Sequence, residues 1–247
     1  MLGPGRLAIY RLILSALLIV LAPTVSQAGE AFKAPYLVGG NEHIVMGITL
    51  DEAAVRAALP DGLEPAEGFT GGLNVYTSQG GDGVAPYTRS YVWVDLEGYD
   101  SVSGSKGRYI LWAASNPGSE KLQYRGYDSV KGDTKLERNG NTVIGSTSVD
   151  GREVMKVEIE LTGETCNPAV GSLNYPSNLD GTGPRVISQF FWSGSVCGAT
   201  PVYVDFVAGS DHGLAKYKPT AVSWAVLAED LSFSGSPPFP QKTAAGN

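Results

Sequence analysis

The sequence predicts a mainly β protein with a few short helices, its strands largely antiparallel and arranged as a barrel-like or two-sheet fold. Three observations carry this expectation. Glycine is abundant, at 32 of 247 residues, and β-branched and aromatic residues collect in short apolar runs bounded by turn formers. Asn139-Gly140 and Asp150-Gly151 each lie between two strand-like runs and supply the positive φ angles that two-residue hairpin turns need. From Glu153 to Leu161, Glu153, Lys156, Glu158 and Glu160 interleave with Val154, Val157, Ile159 and Leu161, so one face is wet and the other packed.

Taken in order, residues 1–28 read as a signal peptide. Arg6 and Arg11 precede the apolar run Leu12 to Ala22, and Ser26-Gln27-Ala28 places small residues at the cleavage-determining positions. The run is about 11 residues long, short of the roughly 20 that cross a bilayer, and no later stretch is longer. The expected location is therefore periplasmic or secreted, with no membrane span after cleavage. Residues 29–233 are expected to form a single β-rich domain, and 234–247, rich in Pro, Ser and Gly, a flexible tail.

The clearest helix is expected from Leu50 to Leu59. Thr49 serves as cap, Glu52 completes an S/T-x-x-E box, Ala54, Val55, Ala58 and Leu59 form an apolar face, and Pro60 follows. Strands are expected at His43–Ile48, Gly72–Thr77, Ser90–Leu96, Arg108–Ala113, Thr134–Arg138, Thr142–Val149, Glu153–Leu161, Val186–Trp192, Pro201–Val207 and Thr220–Leu227. Residues 134 to 161 should form a three-stranded meander. The stretch Cys166 to Arg185, with Asn167-Pro168, Tyr175-Pro176 and Gly183-Pro184, shows no periodicity and reads as a long loop.

Net charge is −7; cleavage removes two of the 18 basic residues and none of the 25 acidic ones, leaving −9 on 219 residues. No basic cluster is present, which argues against nucleic acid as a partner. Cys166 and Cys197 are the only cysteines. In an exported protein they are expected to pair, two free thiols or a nucleophilic Cys being the alternatives. With His43 and His212 the only histidines, a Cys/His zinc or copper cluster cannot be assembled, and neither metal nor other cofactor is expected. No G-x-S-x-G, P-loop, G-x-G-x-x-G or H-E-x-x-H occurs. Asp211-His212, in a Gly-flanked segment, reads as a polar turn rather than part of a triad.

Several segments together resemble one family. Leu50 to Pro65, with its helix and the Leu59-Pro60-Asp61-Gly62-Leu63-Glu64-Pro65 exit, is similar to the early helix of the acetoacetate decarboxylase family. Val84-Ala85-Pro86-Tyr87 resembles that family's G-P-Y strand entry. Arg125-Gly126-Tyr127, followed by Lys135 to Gly145, resembles its G-F/Y region and next hairpin. The resemblance implies a barrel-like fold around an apolar cavity and a lysine that forms a Schiff base with a 3-oxo acid. That amine must be neutral, through desolvation and a neighbouring cation.

Two departures bear on function. Where the family has G-F-P-K-K, this chain reads Gly126-Tyr127-Asp128-Ser129-Val130-Lys131, so the lysine pair is missing and Lys131 is the nearest amine. Where it has P-Y-x-E, Pro86-Tyr87-Thr88-Arg89 puts a cation in place of the acid. The candidate catalytic residue is thus Lys131, and the candidate substrate-binding residues are Arg89, Tyr87 and Glu97. Alternation puts Tyr87, Arg89, Tyr91, Trp93 and Asp95 on one strand face, with Arg89 suited to clamp a carboxylate. Two functions remain: an enzyme of altered chemistry acting on a small oxo acid or related carboxylate, and a non-catalytic binder of a small apolar or anionic molecule.

Overall fold

Strand pairing rather than helix packing organises the chain, because nearly every apolar run is short and alternating. A computed structural model describes residues 36–82, 84–116, 128–163, 165–177, 185–207, 212–237 and 239–240. The expected signal peptide, Arg125-Gly126-Tyr127, Asp211 and residues 241–247 lie outside them. The described strands are β1 (Tyr36–Thr49), β2 (Thr70–Ser78), β3 (Tyr87–Leu96), β4 (Gly107–Ser115), β5 (Asp128–Lys131), β6 (Asp133–Asn139), β7 (Thr142–Val149), β8 (Arg152–Leu161), β9 (Asn167–Ser177), β10 (Val186–Phe206), β11 (Ala221–Gly235) and β12 (Phe239–Pro240).

These strands form one sheet in the order β5-β4-β3-β2-β1-β11-β10-β8-β7-β6, with β9 and β12 also pairing β10. The sheet does not close into a barrel. It is also mixed, since β4 and β5 run parallel. It folds over instead: β6 and β7 lie across β2 and β3, where Thr147 Oγ1 donates to Ser90 Oγ at 2.9 Å and the Thr134 N–H to Thr88 Oγ1 at 3.0 Å. Each of β1 to β3 therefore has two buried faces. Ile44, Met46, Leu73, Val75, Val92 and Val94 point toward Val143, Val157 and Ile159 in one core. Tyr36, Tyr76, Tyr87, Tyr91 and Trp93 point the other way, toward Tyr175 and Phe190.

All ten expected strands are present, with corrections. Val186–Trp192 and Pro201–Val207 are parts of the single strand β10, which pairs β9 along its first half and β8 along its second, with register shifts between Ser193 and Ser195 and between Pro201 and Tyr203. Those irregularities broke the sequence pattern without breaking the ladder. The expected loop from Cys166 contains β9, paired residue for residue with β10 from Asn167↔Val196 to Ser177↔Val186. Of the residues expected in the tail, Ser234 and Gly235 belong to β11, and Phe239 and Pro240 pair Ile187 and Val186.

The meander forms as expected. Asp150 and Gly151 both have positive φ (50° and 74°) between Val149 and its partner Arg152. The other turn sits one residue later than expected, because Asn139 pairs Thr142 and Gly140 (φ 63°) becomes its first central residue. The helix α1 (Glu52–Ala58) begins two residues later than expected and is capped by Asp51, whose carboxylate accepts from the Ala54 N–H at 2.9 Å, not by Thr49. Thr49 still belongs to β1, and Leu50 is buried in the first core.

Cys166 and Cys197 form a disulfide that ties the start of β9 to the middle of β10, a bond that persists in an oxidising compartment. No helix among the described residues is long and apolar enough to cross a membrane.

Candidate functional site

The second face of β1 to β4 does not close completely against β9, β10 and β11. Between them lies a cavity of about 230 Å³, smaller than the roughly 300–1,000 Å³ of drug-sized sites. Period-two alternation selects its lining: His43 and Val45 from β1, Asn74 and Tyr76 from β2, Arg89 and Tyr91 from β3, Arg108 and Ile110 from β4. Leu173 and Tyr175 of β9, Phe190 and Trp192 of β10, and Trp224, Val226 and Phe233 of β11 are among the residues that face them. Two tryptophans reach the cavity because glycine leaves them room. A Cβ on Gly47 would lie 2.1 Å from Trp224 Nε1, and one on Gly171 2.7 Å from the Trp192 ring.

A polar strip crosses this aromatic wall. Asn74 Nδ2 lies 3.1 Å from His43 Nδ1 and donates to the Tyr91 hydroxyl at 3.0 Å, which in turn meets the Tyr175 hydroxyl at 3.3 Å. Tyr175 accepts from Arg108. His43 stacks on Tyr76 with ring centroids 4.1 Å apart, and Tyr76 reaches Tyr87 at 3.5 Å. Burial pushes the Tyr76, Tyr87 and Tyr175 phenols above their ordinary range, so they act as neutral hydrogen-bonding groups.

Burial likewise lowers His43 to about 3 against the partial opposition of its Asn74 bond. The unfolded chain takes up this proton near pH 6.5, whereas the folded chain refuses it until about pH 3. The stability from a neutral His43 is therefore complete above about pH 6.5 and declines as pH falls, at up to about 1.4 kcal/mol per unit. Denaturant unfolding between pH 7 and pH 5 should show the parent losing stability faster than His43→Gln. Glu42, raised by burial and by Glu229, titrates in both proteins, so their difference isolates His43. Parallel slopes would remove the histidine from this role.

The structure separates the four residues expected at the site. Arg89 is 4% exposed and lines the cavity, its Cζ 5.6 Å from the Tyr91 ring centroid. Tyr87 is buried behind it, edge-on to Tyr76 at 5.8 Å, and is not part of the lining. Glu97 is exposed just beyond β3 and accepts from Lys106 Nζ at 2.9 Å, an interaction that holds its carboxyl below the usual range. It is corrected to a position outside the cavity, because the strand ends at Leu96 and the alternation ends with it. Lys131 is the exposed last residue of β5, beside Ser115, and does not line the cavity.

Sequence reasoning missed His43, Asn74, Arg108 and Tyr175. Arg108 opens an expected strand on the same parity as Ile110, which is the signal that could have found it. Tyr175 lay in a segment read as a loop. The cavity lining contains no lysine, aspartate or glutamate among the described residues. Cys166, Cys197 and Glu229 approach one another elsewhere, but the two sulfurs are bonded to each other and so offer a metal no thiolate.

No family model matches this sequence, and no curated protein matches it. Solved structures do share its fold. Acetoacetate decarboxylase from Legionella pneumophila superposes with a TM-score of 0.67 at 12% identity, covering 90% of this chain and 95% of that one. The enduracididine biosynthesis enzyme MppR, complexed with pyruvate, gives 0.64 at 16% identity, with 88% and 93% covered. An acetoacetate decarboxylase-like enzyme from Sphingomonas wittichii RW1 gives 0.59 at 14% identity, with 91% and 98% covered. The chain thus has the acetoacetate decarboxylase fold over nearly its whole described length.

Proposed function

We propose that this is an exported, divergent member of the acetoacetate decarboxylase-like proteins that binds a small, mainly apolar carboxylate in its cavity, Arg89 engaging the acid group, without Schiff-base decarboxylation. One observation carries the reading: the cavity offers two arginines and, among the described residues, neither a lysine nor a carboxylate. A Schiff base needs a neutral amine at the substrate carbonyl. A guanidinium stays charged and supplies no nucleophile, but its planar fork matches a carboxylate. Pyruvate bound to MppR supports a small oxo acid or related carboxylate as the kind of molecule this fold accommodates. Export rests on the Arg-flanked short apolar run at the N-terminus and on the disulfide.

An altered enzyme is the competing reading, favoured by the hydrogen-bonded polar strip of His43, Asn74 and Tyr91 that lines the cavity. A paired measurement separates the two. Calorimetry with pyruvate, acetoacetate and hexanoate should show saturable binding of at least one, while borohydride treatment with acetoacetate should leave the protein mass unchanged. A reduced adduct on Lys131, accompanied by carbon dioxide release at enzymatic rates, would show that the displaced amine suffices and would sink the binding-only reading.

A further inference from the structure

Three cross-strand rows of one sheet face underlie the cavity. Arg89, Tyr76, His43 and Ala228 stand side by side on β3, β2, β1 and β11; Tyr91, Asn74, Val45 and Val226 form the next row, and Trp93, Gly72, Gly47 and Trp224 the third. In the third row the two middle positions are glycines, and an indole from each side lies over them. A Cβ on Gly72 would meet Trp93 Cζ2 at 2.2 Å, and one on Gly47 would meet the Trp224 indole. Trp93 is buried and fixed, since its Nε1 donates to Asp95 at 3.0 Å and the Arg108 Cζ lies 4.1 Å from its ring centroid. Trp224 differs: it lines the cavity yet is 45% exposed, and Ala221, Val222 and Ser223, beyond it on β11, are exposed as well. Its indole therefore stands where the cavity meets solvent.

Arg89 and Trp224 occupy diagonal corners of this grid, roughly 20 Å apart along the backbone lattice. The arginine stem and the indole take up much of that span, which leaves a path past Val45 and Val226 for a short chain. Resting on the reading of the cavity as the site of an apolar carboxylate, we propose that Trp224 is the specificity-determining residue for chain length: with the acid group at Arg89, the indole ends the space open to the other end of the ligand. Gly47 contributes by admitting the ring to the sheet surface. A short acid is covered completely, whereas a longer one leaves its last methylenes in water or displaces the ring.

The straight-chain acids hexanoate and decanoate, and the matching alcohols hexanol and decanol, are the probes, titrated by calorimetry into the parent and Trp224→Ala at neutral pH. Each methylene that is buried tightens binding about fourfold, and one left in water adds nothing. In the parent, decanoate should therefore bind no tighter than hexanoate, and in Trp224→Ala it should bind about tenfold or more tighter. Decanoate tighter by that factor in the parent, or the same ratio in both proteins, would overturn Trp224 as the stop while leaving the carboxylate site intact. A length preference that depends on Trp224 for the alcohols, with the acids binding no better than the alcohols, would keep the stop and overturn the carboxylate reading. Binding of no probe to either protein would overturn both. Trp224→Leu, which fills less of the end than an indole and stays apolar, should give an intermediate ratio, and it decides the matter should Trp224→Ala not fold.

Discussion

Replacing both cysteines, as Cys166→Ser with Cys197→Ser, is expected to cost about 3–4 kcal/mol of folding stability, because the bond closes a loop of 31 residues. For a chain of this size that corresponds to a melting temperature lower by about 10 °C. The effect should not be uniform. The bond holds β9 at its first residues, and β9 hydrogen-bonds to β10 along its whole length while supplying Leu173 and Tyr175 to the cavity. Opening it should loosen that wall, so hydrogen exchange should rise first in β9 rather than in β1 or β2, which have partners on both sides. The measurements are thermal unfolding of the double variant and non-reducing peptide mapping of protein recovered outside the cytoplasm, whose first residue is expected to be Gly29 or a near neighbour. A melting point unchanged from the parent, or two freely alkylated thiols in the native protein, would refute the structural role.

Arg89→Met should weaken binding of a monocarboxylate by about 2 kcal/mol, roughly thirtyfold, while leaving the fold largely intact. Met keeps the bulk of the arginine stem between Tyr91 and the surrounding phenols but removes the fork. The loss should be large because Arg89 is almost fully buried, where water competes poorly for the carboxylate and a charge-assisted bond retains more of its strength. Titration of hexanoate against parent and variant, with denaturation curves for both, separates binding from folding. Equal affinities would place the acid group away from Arg89. A variant that loses more than about 2 kcal/mol of stability would show the guanidinium to be mainly structural.

Much of the fold is legible in local pattern. Asp150-Gly151 gives its turn because both residues adopt positive φ, and the alternation through β8 and β3 assigns faces correctly because side-chain direction in a strand has a fixed period of two. The same period puts Arg89 on one face with Tyr91 and Trp93. The cysteine pairing was expected from an even count in a chain whose first residues read as a signal peptide, and the missing lysine pair from direct comparison of Gly126 to Lys131 with the family's segment.

What local pattern could not supply was everything decided by partners far away in the chain. β9 contains two prolines, Pro168 and Pro176, and no alternation; it is a strand because the first half of β10 offers it an edge. β5 is four residues long and parallel to β4, a pairing without a turn signature. Glu97 and Arg108 illustrate the same limit at the site: one looked available and lies outside the cavity, just past the end of β3, while the other was passed over and faces the cavity. The sequence by itself determined which residues of each strand share a face, because that follows from bond geometry within a few residues. Only the tertiary structure decided which faces meet, and so which cations share a cavity, because register between distant strands is set by the packing of whole sheets rather than by any one segment.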